Sequence, residues 1–329
     1  MRSVEAGGAR LSAVGLGTWQ FGSGEWGYGT TYAEETAPAI VRRSLDLGVT
    51  LFDTAEIYAM GRSERILGAA LGSRRDEAFV ATKLLPVLPV DPVVGWRARR
   101  SLARLGTPHV DLYQLHWPNP LAPPSATAAA LRRLLDEGHA RHVGVSNYPL
   151  ARWQALEACL GRPVLSNQVR YSLLDRRPEQ ELLPWAQANG RVLIAYSPLA
   201  QGILSGRYDA EHLPSGLRAR TGPFLPDNLR AAEPLLSVLR DVAAAHDATP
   251  AQVALAWLLR RPNVVVIPGA SSVAQAESNA ASADIDLGAA EDQALTEASD
   301  AYRPATTVVR AGAGLVGRRV RRVLDGLRA

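Results

Sequence analysis

Short runs of consecutive apolar residues alternate along this chain with longer stretches in which apolar residues recur every three or four positions. Residues 4–12 read as a small hairpin turning at Gly7-Gly8. Eight apolar runs follow, at residues 13–17, 50–53, 78–83, 110–116, 142–146, 164–168, 191–196 and 263–267. Runs of this length suit strands buried on both faces. The segments between them have helical spacing. Ile40, Val41, Ser44 and Leu45 fall on one face, as do Leu131, Leu134 and Leu135, with Gly138 placed to end that helix. Thr249-Pro250 has the form of a helix start, a capping hydroxyl followed by a proline in the first turn. Strands that alternate with helices must run parallel and be joined by crossovers. Eight repeats predict an α/β fold of the (β/α)8 TIM barrel type, with the hairpin closing its bottom. A doubly wound sheet is the alternative.

Composition adds a boundary at one end. The net charge is +4, but residues 303–329 hold seven arginines and one aspartate, so the other 302 residues carry −2. The body offers no basic surface for nucleic acid or membrane. The expected organisation is one barrel domain over residues 1–302 and a basic tail over 303–329. In the tail, Val316, Val320, Val323, Leu324 and Leu327 are spaced as the apolar stripe of a helix between arginines. One cysteine, Cys159, excludes an intrachain disulfide framework, and no segment has the length and apolarity of a signal peptide or membrane span. The expected location is cytoplasmic. Nothing indicates an oligomeric state.

The basic residues number 36, and only one, Lys83, is lysine. It closes the apolar run 78–83, where a buried charge is costly unless it is paired. In a parallel barrel the active site gathers at the C-terminal ends of the strands. The other runs end there in Asp53, His116, Ser146-Asn147, Gln168 and Tyr196-Ser197, and Tyr58 follows Asp53 by five positions. A carboxylate, a lysine, a histidine and a phenol around one mouth suit acid–base chemistry. An ammonium favours phenolate and so is expected to lower the phenol's pKa, and the phenol can then protonate an alkoxide formed from a carbonyl. No side chain supplies a hydride, so a cofactor must. His139 and His142 are read as a surface turn, and no metal site is expected.

These motifs resemble the aldo-keto reductase superfamily, of the bacterial type. Asp53-Thr54-Ala55-Glu56-Ile57-Tyr58 with Gly61-Arg62-Ser63-Glu64 is similar to its signature. Further matches are Gly144-Val145-Ser146-Asn147, Asn167-Gln168, Tyr196-Ser197-Pro198-Leu199 and Ile267-Pro268-Gly269. The resemblance implies NADPH-dependent reduction of an aldehyde or ketone on a (β/α)8 barrel, with NADH also open. It implies Tyr58 as proton donor, Lys83 and Asp53 as the groups that tune it, and His116 as the group that orients the carbonyl. Ser146, Asn147 and Gln168 would bond the nicotinamide carboxamide, and Tyr196 would stack on its ring. Ser197, Leu199, Gly202 and Leu204 would surround the pyrophosphate. Gly269, Ala270, Ser271, Ser272, Gln275 and Asn279 would meet the adenosine end. Many relatives place arginine or lysine where this chain has Ser271-Ser272, and a frequent glutamate beside Asn279 is Ser278 here. Trp19, Trp26, Tyr28 and Trp117 follow strands 1 and 4 and are candidates for the substrate pocket.

The partner expected is a small-molecule carbonyl compound; a sugar, a keto-intermediate and a xenobiotic aldehyde all fit the sequence. A second reading also fits. Some members of the superfamily resemble cofactor-binding, redox-sensing regulatory subunits of ion channels that need not turn over. Nucleic-acid binding through the tail is a weaker third.

Overall fold

The structure, a computed structural model, describes residues 1–22, 32–214 and 221–304. The first two strands, β1 (Ser3–Ala6) and β2 (Ala9–Ser12), form an antiparallel hairpin. Eight parallel strands follow in one sheet in chain order: β3 (Leu16–Gly17), β4 (Leu51–Asp53), β5 (Phe79–Leu84), β6 (Val110–Leu115), β7 (Ala140–Ser146), β8 (Ser166–Arg170), β9 (Val192–Tyr196) and β10 (Val264–Val266). The helices are α1 (Ala37–Asp46), α2 (Arg62–Leu71), α3 (Val93–Leu105), α4 (Pro124–Asp136), α5 (Leu150–Leu160), α6 (Leu182–Ala188), α7 (Pro226–Ala245), α8 (Pro250–Leu259), α9 (Val273–Ala281) and α10 (Ala289–Ala301).

The sheet closes on itself. Val14, just before β3, pairs in parallel with Val266 of β10. Gly15 N donates to Val266 O at 2.7 Å, Val266 N to Ala13 O at 2.9 Å and Gly17 N to Pro268 O at 3.1 Å. The seam demands glycine, because a Cβ on Gly17 would stand 2.8 Å from Ile267 O. The fold is the expected (β/α)8 barrel, and each strand lies within a few residues of its expected run.

Side chains two apart on a strand share a face. Leu51, Ala81, Leu112 and Ile194 line the barrel interior, where Ala6, Ala9 and Leu11 of the hairpin pack against it and plug the bottom. Two positions further along the same strands stand Asp53, Lys83, Gln114 and Tyr196. One layer thus carries the interior from an apolar floor to a polar mouth. The opposite faces, among them Phe52, Val80, Tyr113, Val143 and Leu193, pack with helix residues such as Ile40, Val41, Leu67, Leu131 and Leu134 in the larger core. Helix α8 begins as expected. Thr249 Oγ1 accepts from Gln252 N at 3.3 Å and Thr249 N donates to Gln252 Oε1 at 2.8 Å. Residues 305–329, which include most of the basic tail, lie outside the described residues, as do Trp26 and Tyr28. No helix among the described residues is long and apolar enough to cross a membrane.

Candidate active site

Asp53, Lys83 and His116 come from three adjacent strand ends, β4 to β6, and all are buried. Lys83 is fully enclosed. Its Nζ donates to Asp53 Oδ2 at 2.5 Å, to Thr54 O at 2.9 Å and to Tyr58 Oη at 3.1 Å. All three ammonium protons therefore have an acceptor, which is what allows a lysine to be buried here. The His116 ring lies edge-on to the Tyr58 ring at 5.8 Å between centroids, and Trp117 stacks flat on His116 at 3.9 Å.

The electrostatics correct one expectation. Burial pushes the Tyr58 phenol above its ordinary value, and the attraction of Lys83 opposes this without overcoming it. Tyr58 is therefore a neutral phenol, a donor, at neutral pH. Burial works against the Lys83 ammonium, but the charge of Asp53 and the hydrogen bonds to Asp53 and Tyr58 raise it overall, so it stays cationic. Burial, then the Lys83 charge, holds His116 well below the usual imidazole range, so its ring is neutral. The His116 Nδ1 is buried without a hydrogen-bond partner among the described residues.

Several residues brace this cluster in ways the sequence did not indicate, Gln168 among them, which was expected only at the nicotinamide. Gln168 Nε2 donates to the other Asp53 oxygen, Oδ1, at 2.6 Å across 115 residues. The loop that carries Tyr58 turns sharply after it, with Ala59, Met60 and Gly61 all at positive φ. Glu56 secures that loop. Its carboxylate accepts from Leu85 N at 2.5 Å and pairs with Arg97 of α3, whose Nη1 donates to Leu85 O at 2.6 Å. Outside the barrel wall, Ser63 Oγ donates to Thr18 O at 2.8 Å, and Thr18 Oγ1 to Asp53 O at 2.9 Å. Buried Glu64 accepts from Thr82 Oγ1 at 2.6 Å and Arg104 Nε at 2.5 Å. The signature residues Ser63 and Glu64 thus brace β3, β4 and β5 from behind.

The remaining expected residues form two neighbouring groups. At the ends of β7 to β9, Ser146 Oγ donates to Gln168 O at 2.8 Å, Asn147 Nδ2 to Ser146 Oγ at 3.0 Å and Tyr196 Oη to Asn147 Oδ1 at 3.0 Å. After β9 the backbone turns through positive φ at Ser197, Ala200, Gln201 and Gly202. Leu199 and Gly202 are half-buried there. The Leu204 side chain is instead a core residue, so this position has only backbone to offer a ligand.

The second group follows β10. Ser272 caps α9 by accepting from Gln275 N at 3.2 Å, and the first turn of α9 holds no acidic residue. Ser271 N and Oγ each donate to Gln275 Oε1 at 2.8 Å, and Asn279 Nδ2 to Gly269 O at 3.2 Å. Gln20 Nε2 and Tyr32 Oη both donate to Ala270 O, at 2.9 and 2.6 Å, and so tie this segment to the loop after β3. Neutral donors, a capped helix N-terminus and glycine at Gly269 fit a phosphorylated nucleotide. Residues 268–276 contain no cationic side chain. Trp19 is 47% exposed at the mouth, and Trp117 is half-buried against His116.

A parallel barrel whose mouth holds a buried lysine between a carboxylate and a phenol, beside a neutral imidazole, has the groups that acid–base chemistry needs. The Aldo/keto reductase family signature matches residues 13–300, and the chain belongs to that family. It is 54% identical over 298 residues to the uncharacterized oxidoreductase Rv2298 of Mycobacterium tuberculosis (strain ATCC 25618 / H37Rv), covering 91% of this chain and 92% of that one. It is 34% identical to the methylglyoxal reductase YeaE of Escherichia coli (strain K12), covering 92% and 96%. An aldo/keto reductase from Klebsiella pneumoniae, solved in complex with NADP and acetate, superposes with a TM-score of 0.75 at 33% identity, over 94% of this chain and 98% of that one.

Proposed function

We propose that this protein reduces an aldehyde or ketone to an alcohol with NADPH, Tyr58 donating the proton. The observation that carries this reading is Lys83, wholly buried and bonded to both Asp53 and Tyr58. When bound, the nicotinamide cofactor supplies the hydride. The chain's own residues do the rest. Tyr58 presents its hydroxyl proton to the carbonyl oxygen, and Lys83 stabilises the phenolate left behind. Asp53 holds Lys83 charged and is itself held by Gln168. Neutral His116 orients the carbonyl without competing as an acid. Ser146, Asn147, Gln168 and Tyr196 are proposed to receive the nicotinamide, residues 197–204 the pyrophosphate, and residues 269–279 the adenosine end. The primary test is a screen of carbonyl compounds for NADPH consumption by absorbance. Tight NADPH binding with no turnover on any of them would favour the regulatory-subunit reading instead.

The shifts set a pH dependence. Reduction needs the Tyr58 phenol protonated and Lys83 cationic, and both are raised. It also needs His116 neutral, and that group is depressed. The rate of reduction should therefore stay level from about pH 6 to about pH 9 and fall only as the phenol deprotonates above its ordinary value near 10. The reverse oxidation needs phenolate and should rise with pH over the same range. A break near pH 6.5 in the reduction profile would contradict a neutral His116.

With no cation in residues 268–276, preference for NADPH over NADH should be modest. Ser271→Arg should tighten NADPH by about tenfold through a charged bond to the 2′-phosphate, and leave NADH little changed. Equal NADPH dissociation constants for variant and wild type, by fluorescence titration, would displace the adenosine end from this segment.

A further inference from the structure

Among the described residues, most large apolar side chains left exposed lie in loops that leave the C-terminal ends of β3 to β6. They are Trp19, Met60 at 83%, Val87 at 39%, Leu88 at 59% and Leu121 at 91%. Isolated exposed apolar residues need no explanation, but a set gathered around one mouth does. Two of these loops continue the strands that carry Lys83 and His116, and those strands are joined where His116 N donates to Leu84 O at 2.9 Å.

Neither loop bears a charge near the mouth. Residues 84–90 are Leu-Leu-Pro-Val-Leu-Pro-Val, and residues 117–123 are Trp-Pro-Asn-Pro-Leu-Ala-Pro. In the first, the triplet Leu-Pro-Val occurs twice, and each copy closes a three-residue turn. Val87 N donates to Leu85 O at 2.9 Å and Val90 N to Leu88 O at 2.8 Å. Pro86 and Pro89 are buried by these turns, while Val87 and Leu88 face solvent. Asn119 of the second loop staples the two together. Its Nδ2 donates to Pro86 O at 2.8 Å, its Oδ1 accepts from Leu121 N at 2.8 Å, and its own carbonyl accepts from Arg152 Nη1 at 3.1 Å. Five prolines and this staple hold the rim in place before anything binds, so little ordering entropy is lost on contact.

We propose that the substrates are uncharged aldehydes or ketones whose carbonyl carries an extended apolar group, which lies along the rim formed by Met60, Val87, Leu88 and Leu121. This rests on the carbonyl-reductase reading and narrows it. Two of its loops continue directly from Lys83 and His116, and residues 84–90 and 117–123 provide no cation for a carboxylate or phosphate and few polar groups for a sugar.

The test is kcat/KM for linear aldehydes from propanal to octanal, with glyoxylate and glyceraldehyde as polar comparators, on the full chain with NADPH. The expected result is a rise of roughly two- to fourfold per added methylene until the rim is covered. In the double variant Leu88→Ser, Leu121→Ser that slope should flatten, while NADPH affinity and melting temperature stay at wild-type values, both side chains being exposed. A flat wild-type slope, a preference for glyoxylate or glyceraldehyde, or a slope that the double variant leaves intact overturns the proposal. A wild-type dimer that the double variant splits, by sedimentation, with the slope unaltered, would assign the rim to a second copy of the chain. No turnover on any aldehyde, with NADPH bound, would instead remove the carbonyl-reductase reading, and this proposal with it.

Discussion

Tyr58→Phe is expected to lower kcat for aldehyde reduction by about 10²–10⁴-fold, the usual contribution of a positioned general acid. The ring remains, so its edge contact with His116 is retained. What is lost is the hydroxyl 3.1 Å from Lys83 Nζ. Lys83 keeps Asp53 and Thr54 O as acceptors, so the variant should fold and bind NADPH with an affinity within a few-fold of wild type. Single-turnover kinetics with pre-bound cofactor separates the two quantities. A variant that reduces aldehydes at close to the wild-type rate would show that the proton comes from elsewhere.

Lys83→Arg is expected to cost nearly as much, although it keeps the charge. The ammonium is enclosed and directs its three protons at three acceptors, Asp53 Oδ2, Thr54 O and Tyr58 Oη. A planar guanidinium cannot reproduce that tripod and must find extra volume inside a packed barrel, a strain of about 1–3 kcal/mol. We expect kcat to fall by about 10²-fold or more, with a lowered melting temperature. Lys83→Met removes the volume problem and isolates the charge. It leaves the Asp53 carboxylate buried with Gln168 as a side-chain partner, a loss of about 3–5 kcal/mol when one member of a buried pair is deleted. Near-normal turnover in the arginine variant would mean that the only lysine in the chain is there for reasons unconnected with catalysis.

Much of this site is legible in the amino-acid sequence. Strand positions follow from apolar runs, and a period of two puts Asp53 on the same face as Leu51, Lys83 on that of Ala81 and Tyr196 on that of Ile194. Parallel strands send all their C-terminal ends to one side, so the polar residues that close those runs had to share a mouth. The N-terminus of α8 was equally local, since Thr249, Pro250 and Gln252 lie within one turn.

Other features depend on distances that closure alone creates. Gln168 meets Asp53 across the barrel, Arg97 reaches Glu56 from a helix outside it, and Asn119 joins two loops from different strands. None of these partners stands at a readable spacing, because the barrel's stagger and the crossing of its helices decide who meets whom. The Tyr58 phenol shows the same division. Its neighbour Lys83 could be anticipated, and with it the direction in which a charge would pull. The sign of the net shift could not, because it is a balance between that charge and the desolvation of a buried phenol, and burial is a property of the folded surroundings and not of the residue. Apolar runs in parallel order fix which residues close the strands at one end; how deeply each is enclosed and what braces it come from closure of the barrel, because burial and long-range partners depend on surroundings that no local spacing encodes.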